Sequence, residues 1–239
     1  MIAFRRRGAG RFAVEPHPIW FAIMTAKAGT EMQVKYMQVL ARTYRAVTLV
    51  LTLAVLGAIP MTGFGQTPES LDVTGKLLYH AESTYSPSAI LGFALYAGAL
   101  QEIDTPKEWG QGAGAYGERF GSTLAWSGIH SALAFGLDST LHQDPRYFRS
   151  QETGFWRRTG HALRGTLLTR TDSGGETFST WRVGSAYGAA FLSNLWYPDR
   201  LNTVGWGLID GSVTLGFGFA SNLGSEFWPD IRRKVLRRK

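Results

Sequence analysis

Residues 113–141 read AGAYGERFGSTLAWSGIHSALAFGLDSTL, and the spacing of their small residues decides the fold. Gly114, Gly117, Gly121, Ala125, Gly128, Ala132 and Gly136 follow one another at intervals of three or four. That period lines one face of a helix, whereas a strand would place alternate residues on opposite sides. Each glycine in a helix interior costs about 1 kcal/mol relative to alanine, so five along one stripe call for a compensating close contact. The spacing therefore predicts a helix over this stretch and assigns Gly114, Gly117, Gly121, Gly128 and Gly136 to packing against another helix. Shorter ladders at Gly184 and Gly188, and at Ser212, Gly216, Ala220 and Gly224, predict two further helices built the same way.

Working outward, Pro68-Glu69 opens a helix through about Ser83, with Leu71, Leu77 and Leu78 at roughly helical spacing, and Tyr85-Ser86-Pro87 breaks it. Ser88 to Leu100 is almost wholly apolar and about a dozen residues long, a length that suits a buried helix better than a spanning one. The competing fold is an outer-membrane β-barrel, because Gly205-Trp206-Gly207 and Leu215-Gly216-Phe217-Gly218-Phe219 alternate small and aromatic residues. Regularly spaced alternating ten-residue segments are missing, and the chain ends on basic residues rather than an aromatic strand. The expected fold is mainly α, a glycine-rich helical bundle.

Upstream, Arg42 and Arg45 precede an apolar run from Ala46 to Ile59, which Pro60 and Gly63-Phe64-Gly65-Gln66 close with small residues. This pattern reads as a secretory signal peptide over 37–65, preceded by an over-long start or extended leader over 1–36, with Met24, Met32 or Met37 as the initiator. The remainder, 66–239, has the length of one helical domain with a basic C-terminal tail. Cysteine is absent, which excludes a lipoprotein anchor, disulfides and thiolate metal sites. Of 25 basic and 18 acidic residues, eight and two precede Gln66, leaving 17 against 16 and a net charge of about +1 in place of +7. Nucleic acid is thereby excluded as a partner. Arg232, Arg233, Lys234, Arg237, Arg238 and Lys239 crowd the C-terminus, and seven of the 8 tryptophans follow Gln66. The expected partners are membrane lipid, met by the basic tail and the aromatic residues, and a second copy of the chain in a homo-oligomer. The expected address is the periplasm or an outer-membrane-associated envelope.

The concentrated polar block is Leu141-His142-Gln143-Asp144-Pro145-Arg146-Tyr147-Phe148-Arg149. His130 and Asp138 lie two turns apart upstream on one helical face, and His161 and Arg164 share the next helix. If those helices pair as a hairpin, His130, His142 and His161 converge near Asp144 to serve as a general base or to hold a divalent metal. Arg146, Arg149 and Tyr147 would then bind an anionic substrate. The simpler reading makes His142 and Asp144 a helix-ending turn paired with Arg146 or Arg149, and structural or interaction duty is favoured over a periplasmic hydrolase. No cofactor is expected. Arg170 to Glu176 reads as a turn, and Ser193-Asn194-Leu195-Trp196-Tyr197-Pro198-Asp199 as a helix end with an aromatic cluster.

HQDPRYF at His142 to Phe148, the Arg-rich helix that follows, the Asp-Ser-Gly-Gly loop and SNLWYP at Ser193 to Pro198 together carry a resemblance. The chain resembles, over roughly Gly110 to Trp228, a group of uncharacterised bacterial proteins predicted to be exported. The resemblance implies envelope localisation and a helical build, and it assigns no catalytic residue. Trp196 stands where SNLYYP is expected in other members.

Overall fold

The computed structural model describes residues 69–236. The signal segment 37–65, the leader before it and the last three basic residues lie outside them.

Helix α1 spans Val73–Tyr85, and its N-cap Asp72 accepts a 2.7 Å hydrogen bond from the Gly75 N–H. Ser86 ends α1 and caps α2, Pro87–Glu102, whose first residue is a proline, where the missing N–H costs nothing. Then follow α3, Ala113–Thr140, and α4, Phe155–Leu167. Strands β1, Leu168–Arg170, and β2, Glu176–Phe178, form an antiparallel hairpin with Leu168 opposite Phe178, and its turn contains Gly174 at φ 89°. Helices α5, Thr180–Ser193, and α6, Val204–Leu236, complete the chain.

The protein is mainly α, and among the described residues the two-stranded hairpin is the only sheet. The stretch that suggested a barrel strand, Leu215 to Phe219, lies inside α6. Neighbouring helices follow one another in a row: α1 and α2 lie against α3, α3 against α5, α5 against α6, and α6 against α4.

That row has a thin interior, and its contents are inverted. Its buried apolar residues are Ala97, Ala99, Ala115, Ala134, Ala162, Ala186, Ala189 and Ala190, with Trp181 and Leu201. The largest fully buried side chains include Arg119, Lys76, Glu226 and Asp138, while Leu77, Leu78, Leu91, Trp156, Leu195, Val204 and Ile209 are exposed. Close contact through alanine leaves little room for large side chains between the helices, and many large apolar ones turn outward.

The glycine stripe of α3 corrects the sequence reading. Gly114, Gly117, Gly121 and Gly136 are exposed, and a Cβ placed on any of them would meet nothing within 4 Å; only Gly128 has a neighbour, the Tyr85 hydroxyl at 3.4 Å. The helix packs instead through the face carrying Ala115, Arg119, Ser122, Ser127, Ala134 and Asp138. Glycine-mediated contact occurs elsewhere. A Cβ on Gly184 or Gly188 would come within 2.8 or 2.9 Å of the Leu137 or Leu133 side chain of α3. One on Gly207 would lie 2.6 Å from the Phe191 ring, and one on Gly211 would overlap the Tyr187 ring.

Candidate functional site

Lys76, His80 and Thr84 recur every fourth residue of α1, which stacks them on one face, and that face is buried against α3. His80 Nε2 lies 2.6 Å from Asp138 Oδ2. Lys76 Nζ donates to the Asp138 carbonyl at 3.2 Å and to Asp172 Oδ2 at 2.8 Å. Thr84 Oγ1 bonds Ser131 Oγ. Asp138 has no exposed surface, so removing one partner would strand a buried charge.

The 142–149 block fastens this seam to the hairpin. His142 adopts a left-handed φ of 53°, which lets the Gln143 N–H return to the Asp138 carbonyl at 2.8 Å and stops α3. The Asp144 N–H donates to the Arg170 carbonyl and the Asp172 N–H to the His142 carbonyl, each at 2.8 Å, which carries Asp172 to Lys76. Gln143 donates to the Phe178 carbonyl at 2.8 Å and accepts from the Trp181 N–H at 3.1 Å, tying in the start of α5. Trp181 meets the His80 ring edge-on at 5.9 Å.

The expected catalytic residues are dispersed by these bonds. Asp144 is buried and accepts from Arg146 Nε at 3.0 Å and Nη2 at 2.6 Å, a forked pair, while Arg146 Nη2 also donates to the Glu69 carbonyl. His142 points outward, 81% exposed, with Nδ1 3.7 Å from Asp172. His130 stacks on Trp126 at 5.1 Å and lies 3.2 Å from Ser185 Oγ of α5. Burial, then the nearby His80 and Arg182, push its pKa down to about 4. His161 Nε2 donates to the Phe148 carbonyl at 2.9 Å beside the Tyr147 ring. The hairpin needed to gather the three histidines does not form, because α4 packs along α6 while α3 packs against α1, α2 and α5.

Tyr147 and Arg149 belong to a second buried cluster. Glu226 of α6 accepts from the Tyr147 hydroxyl at 2.9 Å, the Ser150 N–H at 3.0 Å and Arg158 Nε at 2.9 Å, and its carbonyl accepts from Arg149 at 3.4 Å. Burial alone would raise the Glu226 pKa, but hydrogen bonds from Arg158, Ser150 and Tyr147 outweigh it and hold the carboxyl below its usual range. Burial and the bond to Glu226 raise the Tyr147 phenol. These groups hold charge in place. Among the described residues no trio of His, Asp or Glu is arranged to take a metal ion.

Two elements escaped the sequence reading. Arg119 donates to the carbonyls of Thr105, Pro106, Gly110 and Ala115 and to Gln101 Oε1, at 2.6–3.2 Å, so one buried guanidinium organises the loop between α2 and α3. His80 also escaped, although the four-residue repeat of Lys76, His80 and Thr84 was present as a signal. The SNLWYP aromatics do cluster: Trp196 Nε1 donates to Ser122 Oγ at 2.8 Å, and Tyr197 sits edge-on to Trp109 and Trp196 at 5.8 and 6.0 Å. Trp109, Glu118, Gly121, Ser122, Ala125 and Trp196 line an open groove of about 510 Å³.

No protein-family model, curated protein or solved structure matches the chain.

Proposed function

We propose that this chain is an exported envelope protein of structural or interaction type that works attached to a membrane surface. The observation that carries the reading is the inverted helix α1. Its buried face is Lys76, His80 and Thr84, whereas Val73, Leu77, Leu78 and Tyr85 are 50–62% exposed. Apolar surface left in water forfeits about 25 cal/mol per Å², a loss that disappears when the same surface enters the apolar boundary of a bilayer. No described helix is long and apolar enough to cross a membrane, so the attachment proposed is interfacial. The signal-like segment before Gln66 and the resemblance to exported bacterial proteins support the same address. A hydrolase built on His142 and Asp144 is the weaker alternative, because Asp144 is committed to Arg146 and two backbone ties.

Fractionation of expressing cells tests the reading: the protein should sediment with membranes, resist a high-salt wash and be released by carbonate. Recovery wholly in the soluble fraction would sink it.

A further inference from the structure

Among the described helices α4 is the most strongly two-faced, and its apolar side is not covered. Ala162 and Thr166 are buried towards α6, where Asn222 donates to the Ala162 carbonyl at 3.2 Å and to Thr166 Oγ1 at 3.1 Å. The flanking stripe of Phe155, Trp156, Leu163 and Leu167 faces outward, with Trp156 81% exposed. Residues of Trp, Phe and Leu type on one side of a helix of low mean hydropathy, with Arg on the other, are the pattern of a helix lying in a membrane interface.

The pairing of α4 with α6 brings a basic end to the same place. The two run antiparallel: Arg158 Nη1 is 2.5 Å from Asp230, and the Phe155 ring lies 5.4 Å from that of Phe227. Ile231 and Lys234 follow Phe227 by four and seven residues, on its face of α6, and both are exposed. Six basic residues gather here, Arg149, Arg157, Arg158, Arg232, Arg233 and Lys234, against three acidic ones, Glu152, Glu226 and Asp230. Glu226 and Asp230 are taken by Arg158, and Asp230 also by Arg233. Arg157, Arg232 and Lys234 are exposed and have no ion-pair partner among the described residues.

We infer that this end of the α4–α6 pair is an anionic-lipid docking site, with Phe155, Trp156, Leu163, Leu167 and Ile231 entering the acyl boundary and Arg157, Arg232 and Lys234 meeting negatively charged headgroups. The inference rests on the membrane-surface reading and adds the lipid class and the face that meets it. The uncompensated positive charge is what selects anionic headgroups over zwitterionic ones; the apolar stripe alone would bind both.

The test is sedimentation of the full chain with vesicles of phosphatidylcholine and with vesicles of phosphatidylcholine mixed with phosphatidylglycerol. Binding should be stronger to the anionic vesicles, and that excess over phosphatidylcholine should shrink as salt is raised while the apolar contribution persists. Each of Arg157→Gln, Arg232→Gln and Lys234→Gln should weaken anionic binding about fivefold and leave phosphatidylcholine binding unchanged. Trp156→Ser should weaken binding to both vesicles by roughly tenfold. These side chains are exposed, so unchanged circular dichroism will confirm that the variants fold. Equal binding to the two vesicles, or triple-charge removal without effect, overturns the anionic site while leaving membrane attachment standing. Binding to neither overturns both, and retention by an acidic protein in place of lipid has the same consequence for the site.

Discussion

The two long faces of α3 have opposite fates. One carries Arg119, Ser122, Ser127 and Asp138 and is packed; the other carries Gly114, Gly117, Gly121 and Gly136 and is open. A smooth face is suited to close packing only if a neighbour arrives with something to press into it. Here the approaching helices make their strongest bonds to polar groups: α1 reaches Asp138 through His80 and Lys76, and the loop before α3 wraps Arg119. Where glycine does mediate contact, at Gly207 and Gly211 of α6, an aromatic ring of α5 fills the space. Helix–helix contact in this protein therefore follows the groups that must be satisfied, and small residues matter where a large one fits against them.

The contrast can be broken most severely on the packed face. Asp138→Ala leaves the buried His80 Nε2 without its carboxylate partner, while Lys76 keeps the main-chain carbonyl of residue 138 and Asp172, and it should cost about 3–5 kcal/mol of stability, read from chemical denaturation. Asp138→Asn, which keeps one acceptor oxygen, should lose less. A loss below about 1 kcal/mol would mean that the seam is not dry. At the α5–α6 seam, Gly211→Ala drives a methyl into the Tyr187 ring and should cost about 1–3 kcal/mol. Pairing it with Tyr187→Ala should recover part of that loss if the clash is real.

His130 sharpens the comparison through pH. Its folded pKa of about 4 lies below the ordinary 6.5, so the unfolded chain takes up the proton first. Its contribution to stability is complete above about 6.5, falls as pH drops towards about 4, and is constant below that. Stability measured across this window should decline less steeply in His130→Gln than in the parent. Parallel curves would show that His130 is not held neutral by burial.

The smallest effect belongs to the open face. Gly117→Ala and Gly121→Ala should each stabilise the protein by about 0.4–1 kcal/mol, because nothing obstructs the methyl and alanine loses less backbone entropy in a helix. Size-exclusion chromatography with light scattering gives the decisive control. If either substitution instead lowers thermal stability and shifts a dimer towards monomer, a second copy covers the stripe.

Much of the helical layout was legible in the residues. The helix expected over Ala113–Leu141 is observed over Ala113–Thr140, because apolar and small residues keep its period until His142 turns left-handed. The break at Ser86-Pro87 was legible too, since Ser caps and Pro opens a helix. The first helix begins later than expected, at Val73, because Asp72 caps there. The site was far less legible. Lys76 and His80 spaced four apart beside Leu77 and Leu78 are equally compatible with a solvated polar face, and Arg119 resembles any surface arginine until the carbonyls of the preceding loop surround it.

Spacing alone determined that the chain is helical and where its turns fall, because helix period and chain breakers act over neighbouring residues. Which face of each helix turns inward was decided only by tertiary structure. The preference of glycine, lysine or leucine for the interior depends on what opposes it, and here the main-chain carbonyl of Asp138, 62 residues away, and the carboxylate of Asp172 hold Lys76 inside while Leu77 faces out.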